Sequence, residues 1–124
     1  MNSYLDECLQ SLSRGVQLLS GDEYQLKKKQ FCKRINFVLQ GVDWSLHSEF
    51  VEVSERELFD LIDAQTCYVM WDEYSLPILK ANYIDLLTNI DDVLAVAFDT
   101  WFIGEQLDWL IEFHHEGIIR FTRL

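Results

Sequence analysis

The C-terminal stretch WLIEFHHEGIIRFTR, residues 109–123, decides the fold of this chain. Its two apolar runs, residues 109–115 and 118–123, are rich in the aromatic and β-branched side chains that favour strands. Glu116-Gly117 lies between them and is typical of a tight turn. A third run of the same kind, residues 93–101, precedes them. The stretch therefore predicts an antiparallel β-meander at the end of the chain.

The middle of the chain carries three further local signals. Residues 66–71 read TCYVMW, which predicts a buried strand. Ser54 and Glu57 have the spacing of a capping box, so a short helix is expected directly after Ser54. Pro77 suits the first turn of a helix that would run to about Asn89. Residues 42–53 are interpreted as a loop with a short strand.

The N-terminal third has apolar residues at helical spacing. We expect one helix from Ser3 to about Leu19 and a second from Asp22 to a stop at Gly41. A short turn joins them, which favours an antiparallel helical hairpin. Residues 1–124 are thus predicted to form a single α+β domain, with an N-terminal helical hairpin and further short helices packed on a mainly antiparallel sheet that ends in the C-terminal β-meander.

Composition narrows the function classes. With 124 residues, 49% hydrophobic and 14% aromatic, the chain can bury a real core and is not a disordered segment. The formal net charge of −11 disfavours direct nucleic-acid binding, which needs a basic face. No apolar run reaches the length of a membrane span, and no signal peptide is recognisable at the N-terminus.

The charge is distributed unevenly along the chain. Residues 81–119 contain eight acidic side chains and no Lys or Arg, whereas the first 42 residues contain four acidic and six basic ones. Charge of one sign collected in one part of a small protein steers an oppositely charged partner towards it. This asymmetry predicts a binding protein for a basic macromolecule rather than an enzyme.

The candidate contact residues are carboxylates at predicted element ends and tryptophans beside them. An aromatic ring next to an uncompensated carboxylate can desolvate an ion pair at an interface. The carboxylates are Asp72, Glu73, Asp91, Asp92, Asp99, Glu105 and Asp108. The tryptophans are Trp71, Trp101 and Trp109.

Catalytic alternatives have weaker support. Glu112 with His114 or His115 is the local group able to act as a general base. In a strand the two histidines would point to opposite faces, so we interpret them as hydrogen-bonded strand residues and expect no metal site. No glycine-rich phosphate loop or nucleophile elbow occurs, and no cofactor is expected.

The three cysteines are interpreted as unpaired. Cys8, Cys32 and Cys67 are far apart and set in apolar patterns, which predicts buried free thiols in a reducing compartment. Such thiols lack the electropositive neighbours that activate a nucleophile. A cytoplasmic protein is therefore expected.

In its organisation the chain resembles the small immunity proteins of bacterial contact-dependent growth inhibition, a polymorphic toxin system. Like them it is short and acidic, and it has two early helices and an antiparallel end. The segment 108–119, DWLIEFHHEGII, is similar to the strand–turn–strand endings of such proteins.

The resemblance implies an inhibitor that blocks the active site of a cognate toxin domain, often a nuclease that acts on transfer RNA or DNA. A nuclease groove is basic, so an acidic surface is suited to occupy it. Two alternatives stay open at this point. One is an intracellular regulatory or adaptor protein that binds a basic partner, and the other is a small enzyme that uses Glu112 and a histidine.

Overall fold

The computed structural model describes residues 3–12, 15–38, 41–47 and 49–124. In these residues the helices are α1 Ser3–Ser11, α2 Asp22–Arg34, α3 Glu55–Leu61, α4 Tyr83–Thr88 and α5 Ile90–Leu94, with a 3₁₀ turn at Trp44–Leu46. The strands are β1 Gln17–Leu19, β2 Phe37–Val38, β3 Gly41–Val42, β4 Val51–Glu52, β5 Thr66–Trp71, β6 Ile78–Asn82, β7 Thr100–Gly104, β8 Trp109–Phe113 and β9 Ile119–Arg123.

Seven of these strands form one antiparallel sheet in the order β1-β6-β5-β7-β8-β9-β4. Strands β7, β8 and β9 are consecutive neighbours, so the predicted C-terminal meander is confirmed. Strands β2 and β3 form a separate two-stranded hairpin. The α+β class, with a mainly antiparallel sheet, is therefore as the sequence predicts.

The core lies on both faces of the sheet, because side chains alternate along each strand. Val69 and Trp71 of β5 pack on one face with α1, α3, α4 and α5, whereas Tyr68 and Met70 pack on the other face with α2 and the β2–β3 hairpin. The two N-terminal helices therefore pack on different faces. The edge strand β1 lies between them in the chain, so α1 and α2 do not form the expected antiparallel helical hairpin.

Several local predictions are confirmed. Strand β5 covers the residues expected from its β-formers. The capping box is complete, since the Glu57 amide donates to the Ser54 hydroxyl at 3.3 Å and the Ser54 amide donates to the Glu57 carboxylate at 3.0 Å. The β8–β9 turn closes through the Gly117 amide, which donates to the His114 carbonyl at 2.9 Å.

The N-terminal boundaries are wrong. Helix α1 ends at Ser11, and residues 17–19, expected to be helical, form the edge strand β1 against β6. Helix α2 ends at Arg34, because Ile35 adopts an extended conformation and leads into β2. Residues 39 and 40 of the predicted second helix lie outside the described part of the chain. Apolar spacing did not reveal the strand partners that override helix propensity here.

Two predictions in the second half are also wrong in part. Pro77 precedes a strand and not a helix, because β6 is paired on both sides, with β1 and with β5. Proline is tolerated immediately before a strand, where its missing N–H is not required by the ladder. The helical part of that prediction begins only at Tyr83. The segment 93–101 contains the end of α5, and its strand begins at Thr100.

Candidate functional site

The seven predicted carboxylates do not form one patch. The β5–β7 register pairs Trp71 with Thr100, so Asp72 and Glu73 lie beside Asp99 at one end of the sheet. Glu105 and Asp108 lie in the β7–β8 turn at the opposite end. The five-residue strand β7 separates the two ends by about 13 Å.

The carboxylates also differ in how far a neighbouring cation or hydrogen-bond donor offsets their negative charge. Glu105 forms a salt bridge of 3.2 Å with Lys80, which reduces its unbalanced charge. On α5, Asp91 is exposed, whereas Asp92 is half-buried and accepts a hydrogen bond from the Ser11 hydroxyl. Asp108 is exposed. These side chains are therefore not equivalent as partners for an external cation.

The three predicted tryptophans are core residues, between 1% and 4% exposed. Each indole N–H has an internal acceptor: Trp71 donates to the Val93 carbonyl at 3.1 Å, and Trp109 donates to Gln65 Oε1 at 3.3 Å. Trp101 donates to Glu112 Oε2 at 2.9 Å. Their role as interface anchors stays a prediction, and in the free chain their rings stabilise the sheet from within.

Asp99 is buried and organises the end of the sheet that holds Asp72. Its Oδ1 accepts from the His115 backbone amide at 2.7 Å and lies 3.0 Å from the His115 Nδ1. The Asp99 amide donates to Asp72 Oδ1 at 3.2 Å, and the Asp72 amide donates to the Asp99 carbonyl at 3.2 Å. The two acidic residues therefore fix each other, and Asp99 supports the surface without being part of it.

Large aromatic side chains are exposed at this same end. Tyr74 is 83% exposed, Phe98 is 82% exposed and Tyr4 of α1 is 56% exposed. A depression of about 470 Å³ is lined by Tyr4, Asp72, Glu73 and residues 95–98. Asp72 also lines a neighbouring hollow with Tyr74, so it lies between the two most exposed rings. We call Tyr4, Asp72, Glu73, Tyr74 and Phe98 the aromatic–acidic surface.

Sequence reasoning identified Asp72 and Glu73 but not the exposed rings beside them. Neither Tyr74 nor Phe98 is among the contact residues expected from the sequence. A usable signal was present, since Tyr74 follows two acidic residues outside a strand and Phe98 is flanked by Ala97 and Asp99 in a connection. Trp71 adjoins Asp72 in sequence, but its ring is buried because both faces of β5 are covered.

Glu112, the proposed catalytic alternative, is a buried structural acceptor. Its Oε2 accepts from the Val42 amide at 3.1 Å as well as from Trp101, and its Oε1 accepts from the Trp44 indole at 2.9 Å. Arg120 approaches Oε1 at 3.6 Å. With the carboxylate 2% exposed and both oxygens engaged, this group ties the segment after β3 to the sheet. That arrangement leaves it poorly placed to act as a base.

The histidines do not lie in a strand as expected, because β8 ends at Phe113. The argument that they point to opposite faces is therefore wrong, and their rings lie 4.1 Å apart. Potential ligand atoms of Asp99, His114 and His115 lie within 4.8 Å of one another. However, the His115 Nδ1 faces Asp99, and the His114 Nδ1 accepts from the Glu116 amide at 3.2 Å. These contacts fit a hydrogen-bonded corner better than a set of ligands turned towards one cation.

The cysteines are unpaired, as predicted, but not all are buried. Cys32 lies exposed on α2, which corrects the expectation of a buried thiol. Burial raises the pKa of Cys8 to about 11, and the negative charge of Asp92 adds to this effect. Burial also raises the pKa of Cys67, with a smaller contribution from Glu105. Both buried thiols therefore stay protonated at neutral pH, unlike an activated nucleophile.

Across the described residues, none of the helices has both the length and the apolar character needed to cross a bilayer. Comparison with curated protein sequences gives no significant match. A family model described as "CdiI immunity protein EcoliA0-like" matches residues 2–122. That match spans nearly the whole chain and agrees with the resemblance drawn from its organisation and C-terminal hairpin. The chain thus belongs to the CdiI family of immunity proteins of contact-dependent growth inhibition systems.

Proposed function

We propose that this immunity protein neutralises its cognate toxin domain by binding it through the aromatic–acidic surface, without catalysis. Membership of the CdiI family implies a toxin partner. It therefore favours this function over an adaptor for an unrelated basic protein. The observation that carries the proposal is the pairing of two exposed carboxylates, Asp72 and Glu73, with exposed aromatic rings at one end of the sheet.

The charge of this surface supports a cationic partner. Among the described residues, no Lys or Arg forms a salt bridge with Asp72 or Glu73. A net charge of −11 adds a long-range attraction that raises the rate of encounter with a basic partner. A nuclease active site is basic because it must hold phosphate. We therefore infer that the toxin is a nuclease whose basic groove or its rim is covered by this chain.

The proposed contact includes fewer residues than the ten that the sequence predicts. Asp72 and Glu73 make the contact, and Asp91 on nearby α5 contributes to the local field. Asp99 and Asp92 support the surface through internal hydrogen bonds. The three tryptophans act from the core, and Glu105 and Asp108 lie at the far end of β7.

A binding mechanism without catalysis agrees with the state of the reactive groups. Glu112 accepts hydrogen bonds from three internal donors and lies 3.6 Å from Arg120, and the two buried thiols are held protonated. Three free cysteines suit a reducing compartment, so we infer that the toxin is intercepted in the cytoplasm.

Co-expression with the toxin domain encoded immediately upstream tests this function. Cells that produce the toxin alone should stop growing and lose intact transfer RNA or DNA, and cells that also produce this chain should grow. Asp72→Lys with Glu73→Lys should abolish protection. A matched variant, Asp60→Lys with Asp63→Lys, alters net charge equally at exposed positions and should protect fully. If cells with the Asp72 and Glu73 variant are protected as well as cells with the Asp60 and Asp63 variant, the assignment of this surface is wrong.

A further inference from the structure

The aromatic–acidic surface exposes more apolar ring area than a solvated turn requires. Phe98 and Tyr74 are each more than 80% exposed, and they lie in the connections that follow α5 and β5. A contiguous exposed apolar patch on a small protein marks an interaction site, and Phe98 shares one depression with the exposed Tyr4 ring. The backbone beside Phe98 is held, because Asp99 is bound to both Asp72 and His115. One side of the Phe98 ring faces the His115 ring, with 6.0 Å between the ring centroids.

The charged residues that line the depression below Phe98 are both acidic. Asp72 and Glu73 line it together with Tyr4 and the small residues Ala95 and Ala97, and no Lys or Arg from the described chain lines it. Lys28 lines only the neighbouring hollow, where its Nζ lies 5.8 Å from the centroid of the Tyr24 ring. A ligand for the depression must therefore bring both positive charge and a flat or apolar surface.

From this combination we propose that the aromatic–acidic surface captures an arginine-bearing segment of the toxin, with the guanidinium group paired to Asp72 and Glu73 and stacked on the Phe98 ring. This inference rests on the proposed function, because it names the chemistry that the toxin presents to the same surface. Tyr74 would cover the pair from the other side of Asp72 and exclude water from it.

Arginine fits this surface better than lysine for physical reasons. Its planar guanidinium binds a carboxylate through two parallel hydrogen bonds and stacks on an aromatic face. It also sheds its hydration more readily than an ammonium group, which matters beside Phe98 and Tyr4. A lysine ammonium can satisfy the charge of Asp72 but offers no flat surface to the ring. The surface should therefore discriminate between the two basic residues.

Two other occupants are disfavoured by charge. A second copy of this chain would bring Asp72 and Glu73 against an identical surface in a symmetric contact, and like charges would oppose that contact. A membrane rich in anionic lipid would be repelled by the same carboxylates. Both occupants can be detected in the experiment below, through the oligomeric state of the free chain and through sedimentation with anionic vesicles.

The test measures binding of a catalytically inactivated toxin domain, encoded beside this chain, by titration calorimetry. Phe98→Ala should raise the dissociation constant at least ten-fold, which corresponds to a loss of about 1.4 kcal/mol of binding free energy. Phe98→Tyr keeps a ring face and should restore most of the affinity. Phe59→Ala removes a ring on α3 that is 48% exposed and should leave affinity unchanged. Because Phe98 is so exposed, thermal unfolding of the two Phe98 variants should match that of the parent.

A second set of measurements identifies the arginine of the toxin that binds this surface. Each exposed arginine of the toxin domain is changed to lysine, and one such change should weaken binding as much as Phe98→Ala does. The combination of that change with Phe98→Ala should cost little more than either change alone.

The outcomes separate the two proposals. If the parent chain binds and Phe98→Ala binds equally well, the arginine inference is overturned and the proposed function stands. The same holds if no arginine-to-lysine change on the toxin matters. If the parent chain does not bind the toxin, or if it dimerises through this surface or sediments with vesicles, the proposed function itself fails.

Discussion

Glu112 and Trp101 lie directly opposite each other on β8 and β7, and the Trp101 indole donates to Glu112 Oε2 at 2.9 Å in the buried layer below the β2–β3 hairpin. The same carboxylate accepts from Val42 and Trp44 and faces Arg120. The Glu112 side chain thus holds the segment from β3 to Trp44 against the large sheet, to which β2 and β3 are not paired. Buried charge is stabilising only while its partners are in place.

Glu112→Gln should therefore lower the free energy of unfolding by about 3 kcal/mol, because the amide puts a donor where an indole or backbone N–H requires an acceptor. Urea denaturation monitored by tryptophan fluorescence measures this loss. Glu116→Gln in the exposed β8–β9 turn is the matched control and should change stability by no more than about 0.5 kcal/mol. Equal effects of the two substitutions would show that Glu112 does not anchor the segment.

Gly41 is required by the close approach of Glu112. A Cβ at this position would lie 2.7 Å from Glu112 Oε2, and the backbone φ of +125° is one that side chains with a Cβ rarely adopt. Gly41→Ala should therefore cost about 2 kcal/mol or more in unfolding free energy. Gly15→Ala is the control, since an added Cβ there meets nothing within 4 Å. A Gly41→Ala variant as stable as Gly15→Ala would contradict this packing.

The elements that could be predicted from the sequence are those that neighbouring residues encode. The capping box at Ser54 and the turn at Gly117 are encoded by neighbouring residues, so they form largely independently of the remaining fold. Strand β1 has only three residues and depends entirely on β6 for its hydrogen bonds. Its leucines fit a helical stripe equally well. Pairing over long sequence distances therefore decided the elements that the sequence did not reveal.

The candidate surface was predictable in its charge but not in its geometry. Asp72 and Glu73 follow a strand, which was enough to place them at its end. Trp71 is the last residue of β5, both faces of which are covered, so its ring is buried although it adjoins Asp72. Tyr74 lies in the connection after β5 and is exposed, and this difference depends on elements distant in sequence. The division of the carboxylates between two ends likewise follows from the antiparallel β5–β7 and β7–β8 pairings.

The thiols should make stability depend on alkaline pH. Burial raises the pKa of Cys8 from an ordinary value of 9.0 to about 11, so the unfolded chain loses its proton first as pH rises. Below pH 9 the thiol is protonated in both states and stability is retained. Between about pH 9 and 11 the free energy of unfolding should fall by about 2 kcal/mol from this group. Cys8→Ala should show a shallower decline in urea titrations across that range.

Thiol labelling gives an independent check on the same groups. At pH 8 under native conditions a maleimide should modify exposed Cys32 within minutes, whereas Cys8 and Cys67 should react only when the chain unfolds. Peptide mapping identifies the modified positions, and Cys32→Ser serves as the control that removes the fast reaction. Rapid native labelling of Cys67 would contradict its burial in the core.

The uncompensated charge of Asp72 and Glu73 should appear in the rate of toxin association. Electrostatic steering acts before contact and is screened within about 8 Å at physiological ionic strength. Reversing both charges should therefore slow association about ten-fold at low salt, flatten its salt dependence and have much less effect at 0.5 M salt. Stopped-flow mixing with the inactivated toxin domain measures these rates.

The control for that experiment must separate local charge from net charge. Asp60→Lys with Asp63→Lys produces the same change in net charge, and both positions are exposed on or just beyond α3. If steering depends on the aromatic–acidic surface, this control should lose less than half of the rate lost by the Asp72 and Glu73 pair. Equal losses would mean that the toxin senses only the overall charge of the chain, and the assignment of a specific acidic contact would then be wrong.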